Sequence, residues 1–146
     1  MPALAPRVVL PGEGRVLRTP SGAGVILKLA SAATGGALTV FETSRGRGDA
    51  RAPRAHRHTN MDETFYVVEG SYVFELDGEP FDAPAGTIVF LPRGTSHRFR
   101  SAGAMDGRVL CFAAPAGIDA FFEEVADPNV PLDEAFRRHG FSFDDP

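Results

Sequence analysis

The chain has 146 residues, 43% hydrophobic and 23% charged, with a formal net charge of −4. This is the balance of a globular chain of one domain, long enough to bury a core without staples. The scattered arginines exclude a strongly basic nucleic-acid footprint, and no apolar run approaches the roughly 18 residues that cross a bilayer. Met1-Pro2-Ala3-Leu4-Ala5-Pro6-Arg7 lacks the charged-then-apolar order of a signal peptide. The single cysteine, Cys111, permits no internal disulfide and agrees with a reducing compartment. The expectation is a cytoplasmic protein with no nucleic-acid or membrane partner. Within Val109-Leu110-Cys111-Phe112 the thiol reads as a small buried hydrophobe.

Residues 1–24 are rich in glycine and proline and read as an irregular lead-in, with a short edge strand at Val8-Val9-Leu10. Strands are expected at Val25–Leu29 and Ala37–Thr43, with turn chemistry between them at Ser31–Gly36. Ser44–Pro53 is a loop. The arginines from Arg51 to Arg57 read as a solvated edge rather than a phosphate-binding patch. From residue 62 the strands come quickly: Glu63–Glu69, Tyr72–Leu76, Pro80–Ala83, Thr87–Leu91, Ser96–Arg100 and Arg108–Phe112. Asp77-Gly78 is a hairpin signal, and Gly70-Ser71, Pro84-Ala85-Gly86 and Pro92-Arg93-Gly94 punctuate the rest. Many short strands at such intervals predict an all-β sandwich or barrel. The period then changes. Ile118, Phe121, Phe122 and Val125 mark one face of a helix that stops before Pro128, and a second helix is expected from Leu132 to His139, ended by Gly140. The phenylalanines here are expected to pin the helices onto the outside of the β body.

The chemistry lies between His56 and His97. His56 and His58 are two apart on an extended segment, so both point to one face, their Cβ atoms about 6–7 Å apart. Two imidazoles so placed can reach one ion at about 2.1 Å each. Thr59 to Asp62 can turn the chain so that Glu63 meets the same ion, and Phe65 and Val67 follow it at period two to keep the interior dry. His97 shares a face with Phe99, while Arg98 and Arg100 point to solvent. A protonated imidazole buried alone there would be expensive, and binding a metal removes that cost. The chain has four histidines, and three fall on this pattern. The fourth, His139, reads as a surface residue, and Asp62 as facing away from the site.

These residues resemble the two signature motifs of the cupin superfamily. The first is His56-x-His58, four residues, Glu63, six residues, Gly70. The second is Gly86, five residues, Pro92-x-Gly94, two residues, His97. Ser101 stands where the pattern has Asn, and Ala50 where it has Gly, with Gly48 two residues earlier; neither touches a ligand. The resemblance implies a small jelly-roll β-barrel, one domain over residues 1–146 with core motifs at 48–101 and C-terminal helices at about 117–140. It implies an ion held by His56, His58, Glu63 and His97. The tail from Ala114 to Glu124 is similar to that of single-domain cupins like quercetin 2,3-dioxygenase.

Three imidazoles and one carboxylate suit one divalent transition ion, Fe, Ni, Mn, Co or Zn, and leave about two positions open on an ion that accepts six. The expected function is a dioxygenase-type oxidoreductase for a small aromatic or enol(ate) substrate that chelates the metal, with Glu63 as both ligand and base. The alternatives are a metal-dependent isomerase, lyase or cyclase using the ion as a Lewis acid, and a non-enzymatic small-ligand-binding cupin. Phe65, Val67, Phe74, Phe90 and Phe99 are candidates for an apolar cavity, although core packing explains each equally well. The apolar N-terminal strand and the Phe-rich helices leave two options open, covering a sheet edge or forming a homodimer.

Overall fold

The computed structural model describes residues 3–19, 24–44, 54–103 and 106–144. The loop residues 45–53, with Gly48 and Ala50, lie outside the described residues. The strands are β1 (Arg15–Arg18), β2 (Gly24–Leu29), β3 (Thr39–Ser44), β4 (His56–His58), β5 (Asp62–Glu69) and β6 (Ser71–Leu76). They continue with β7 (Glu79–Pro84), β8 (Ile88–Leu91), β9 (His97–Ser101) and β10 (Arg108–Ala114). Helices α1 (Ile118–Val125) and α2 (Leu132–Arg138) follow, then β11 (Phe141–Phe143). One sheet has the order β1-β2-β3-β10-β5-β8 and the other β11-β4-β9-β6-β7. This is the all-β architecture that the strand pattern predicts, in the jelly-roll form that the resemblance implies, with two short helices near the C-terminus.

Period-two alternation decides which side chains lie between the sheets. Phe65 and Val67 on β5, Tyr72 and Phe74 on β6, Phe99 on β9, and Val109 and Cys111 on β10 are all buried. Phe74 lies opposite Phe99 in register, with ring centroids 4.9 Å apart, and Phe65 approaches Phe99 at 5.2 Å. Each such aromatic contributes about 1.5–3 kcal/mol by leaving water. Asp77 and Gly78 both take positive φ, 46° and 86°, as a two-residue hairpin turn of mirror-image type demands.

Helix α1 buries the predicted face, Ile118, Phe121, Phe122 and Val125. Asp119 on the same helix is buried too. Its carboxylate accepts hydrogen bonds from the Ser31 amide at 2.9 Å, from the Ser31 hydroxyl, and from Thr39 Oγ1 at 3.3 Å. Those bonds dock α1 against a 3-10 turn at Ser31–Thr34. No helix among the described residues is long and apolar enough to cross a membrane.

Two expectations need correction here, and one element was not expected at all. Val8-Val9-Leu10 is exposed and forms no strand; the first strand is Arg15–Arg18, which finds an antiparallel partner in Gly24–Leu29. Phe90 points outward and is 61% exposed, because Val89 and Leu91 take the inner positions of β8. The unexpected element is β11. It pairs antiparallel with β4, setting Phe141 opposite His58 and Phe143 opposite His56.

Gly107 precedes β10 where the chain passes Tyr72. A Cβ there would meet Tyr72 Oη at 2.6 Å and Glu69 O at 2.7 Å. Tyr72 is fully buried and has no room to retreat. Gly107→Ala is therefore expected to destabilise the fold by roughly 1–3 kcal/mol, read as a lower urea midpoint with an unchanged m-value.

Candidate metal centre

Strand pairing brings the histidines together. His56 on β4 stands directly across from His97 on β9, and His58 follows two residues along β4. The ring centroids lie 4.5 Å (His56–His97), 5.0 Å (His56–His58) and 5.3 Å (His58–His97) apart. One ring nitrogen from each lies within 4.8 Å of the other two. Glu63 arrives from β5 in the opposite sheet. Its Oε2 is 3.1 Å from His58 Nε2 and 3.0 Å from His97 Nε2. The four residues singled out from the sequence thus converge, with Glu63 joined to two of the three imidazoles. Asp62 turns away to Arg93, as its position in the strand predicts.

Backbone bonds lock this convergence. Gly94, at φ 87°, donates its amide to His58 O at 2.8 Å, tying the bend before His97 to the strand that carries His58. Thr59 donates its amide to Gly140 O at 2.9 Å. Asp144 accepts from Arg57 Nε at 3.0 Å and from Ser96 Oγ at 2.5 Å. The C-terminal segment is therefore fastened to the neighbours of His56, His58 and His97.

The proton positions follow from the acceptors. His56 Nδ1 lies 2.9 Å from Arg54 O and His97 Nδ1 lies 3.0 Å from Thr95 O. A carbonyl only accepts, so each Nδ1 carries the hydrogen and the neutral ring keeps its lone pair on Nε2. In His97 that lone pair is at 3.0 Å from a carboxylate oxygen. Glu63 Oε2 and His58 Nδ1 are both buried without an assigned hydrogen-bond partner. A carboxylate this close to imidazole nitrogens in a dry interior calls for positive charge among them, from a proton on an imidazole or from a bound cation.

The electrostatics agree. Burial alone would raise the Glu63 carboxyl, but the imidazoles of His58 and His97 outweigh it and hold the group well below the usual carboxylate range. Burial also opposes protonation of His97, yet Glu63 and the Thr95 carbonyl raise it above its ordinary value. His56 is pushed down to about 3, mainly by burial and then by repulsion from His97 and His58. Two ligands at right angles, each about 2.1 Å from a shared ion, stand about 3.0 Å apart. The Nε2–Oε2 separations have that value. The residues present fit a divalent transition ion.

A cavity of about 290 Å³ opens over the cluster. Phe65, Phe121, Phe136, Phe141 and Phe143 line it, so the phenylalanines of the C-terminal segment wall the cavity as well as packing the helices. Phe99 lines it too, whereas Val67 and Phe74 belong to the core. Cys111 is buried as predicted. Burial, followed by the charge of Glu63, raises its thiol well above the ordinary value, and Sγ donates to Glu63 Oε1 at 3.7 Å. That neighbour was missed, although Cys111 shares the inner face of β10 with Val109 and Ala113. His139 is half-buried rather than a surface residue: its Nε2 lies 2.5 Å from Glu124 Oε2 and its ring packs near Phe121.

Comparison with known proteins places this geometry in a family. The family model described as the cupin domain matches residues 46–113. The tetracenomycin polyketide synthase protein TcmJ of Streptomyces glaucescens is 30% identical over 115 residues, covering 79% of this chain and 69% of that protein. An uncharacterized protein of Methanocaldococcus jannaschii is 30% identical over 60 residues, 41% of this chain, and the match spans 48% of that relative. Among solved structures, KdgF from Halomonas sp. superposes with a TM-score of 0.66 at 20% identity, covering 80% of this chain and 99% of that one. The chain belongs to the cupin family.

Proposed function

We propose that this cupin is a metal-dependent enzyme acting on a small, flat substrate that is aromatic or enolisable and carries oxygens at one end. The observation that carries the reading is the polarity of the cavity. His56, His58, His97 and Glu63 form one polar cluster in its lining, and aromatic rings form most of the remaining wall. A flat apolar body is desolvated by the phenylalanines, and its oxygens are directed toward the imidazole cluster. A divalent ion held by those four residues would supply Lewis acidity toward the substrate's oxygens and, if redox-active, electrons toward dioxygen.

The chain's own groups do the rest. The Arg54 and Thr95 carbonyls fix the tautomers of His56 and His97, so both rings present Nε2 to the site. Glu63 is held as the anion, which makes it a weak base while it lies against His58 and His97. It can take a substrate hydroxyl proton only when that contact loosens. The apolar wall keeps water from a substrate carbanion or enolate.

The donor set of three nitrogens and one carboxylate suits redox-active ions, which supports a dioxygenase-type reaction. The second reading is a Lewis-acid isomerase, lyase or cyclase. The likeness to a polyketide synthase protein favours it, because poly-β-carbonyl chains enolise and close rings without an oxidant. Incubation of the iron, nickel, manganese, cobalt and zinc forms with flavonols and short poly-β-carbonyl compounds, with and without oxygen, separates the two. Oxygen uptake by a redox-active form supports the first, and anaerobic turnover by the zinc form supports the second. Inactivity of every form on both classes would overturn the substrate assignment.

Metal binding itself is expected to be stoichiometric, one ion per chain by elemental analysis. Glu63→Gln should weaken it by roughly 100-fold or more, since it removes the anion and leaves the imidazoles. Binding should also depend on pH in a defined sense. His97 is raised and must lose a proton to bind, whereas His56, pushed down to about 3, is already neutral near neutral pH. Affinity should therefore fall as pH is lowered below the raised value of His97, by about tenfold per pH unit for that one proton. Titration calorimetry in buffers of different ionisation enthalpy reads both the slope and the released proton.

A further inference from the structure

The cavity has one more charged group, Arg54, on its exposed side. His58 is buried, His56 half-buried and Arg54 exposed, and all three line the cavity. Arg54 precedes β4 by two residues, and the order buried, half-buried, exposed from His58 through His56 to Arg54 sets the arginine on the solvent side of the imidazoles. The Arg54 guanidinium lies over the ring of Phe143, 4.7 Å from its centroid, and Phe143 stands opposite His56. The cation thus rests against the aromatic wall.

Nothing in that wall answers its charge. The arginines in ion pairs among the described residues are Arg15, Arg57, Arg93, Arg98, Arg108 and Arg138, not Arg54. Glu63 is the one acid among the described residues that line the cavity, and it is buried against His58 and His97. A guanidinium stacked on a ring keeps its N–H edge free, and that edge matches a carboxylate with two parallel hydrogen bonds.

We propose that Arg54 binds a carboxylate on the end of the substrate remote from the imidazole cluster. The proposal rests on the functional reading above and narrows its substrate class to flat phenolic or enolic acids. Charge supports it. A divalent ion, Glu63 and Arg54 together leave two positive charges, which one chelating phenolate or enolate and one carboxylate cancel.

The test uses naphthalene-2,3-diol and 6,7-dihydroxy-2-naphthoate, which differ only by a carboxylate at the end opposite the hydroxyls. Both are titrated calorimetrically into zinc-loaded wild-type protein, Arg54→Gln and Arg54→Lys, at low and high salt. The acid is expected to bind the wild type about tenfold more tightly than the diol, as a charge-assisted bidentate pair supplies. That advantage should shrink at high salt, fall below twofold in Arg54→Gln, and take an intermediate value in Arg54→Lys, which keeps the charge without the fork. Equal binding of acid and diol to the wild type, or an advantage undiminished in Arg54→Gln, overturns the assignment of Arg54 alone. Failure of the diol itself to bind overturns the metal-centred reading, and this proposal with it.

Discussion

A carboxylate buried against imidazoles is the constraint on which the rest of this protein turns. Glu63 lies between two sheets, where an anion without compensation is costly, with the nitrogens of His97 and His58 at 3.0 and 3.1 Å from it. Such an arrangement is stable when positive charge sits among the groups. The fold holds it in place by strand register: β4 opposes β9, β5 brings Glu63 from the other sheet, and Gly94 ties the bend before His97 to His58.

Much of this was legible in the chain because the signals were local and redundant. The pair His56 and His58 uses the two-residue period of a strand, Glu63 starts the next apolar alternation, and Asp77-Gly78 announces its hairpin. The face carrying Ile118, Phe121, Phe122 and Val125 is visible because a helix buries what recurs every three to four residues. Less legible was anything decided by partners distant in sequence. Val8-Val9-Leu10 has strand composition but no strand to pair with. Phe90 is apolar, yet it occupies the outer position of β8 because Val89 and Leu91 fill the inner ones.

The largest omission was Phe141-Ser142-Phe143. Its alternation is only three residues long, and nothing local says that it returns to β4. That pairing is what converts helix-flanking phenylalanines into a cavity wall. It also gives meaning to Arg54, which in the sequence is one arginine in a basic stretch and in the fold stands against Phe143. Cys111 shows a related limit: its burial was readable, but its approach to Glu63 depends on the β5–β10 pairing.

The in-register pairing of β11 with β4 separates two design problems that usually conflict. Main-chain hydrogen bonds set the spacing of the ring-bearing positions 141 and 143 relative to His58 and His56. Side chains there can be exchanged while the backbone ladder stays in step, so pocket shape becomes adjustable on one short ribbon, although the ring at 141 also packs against His58 at 4.5 Å. Saturation libraries confined to these two codons are accordingly a natural starting point for redirecting ligand choice in this scaffold.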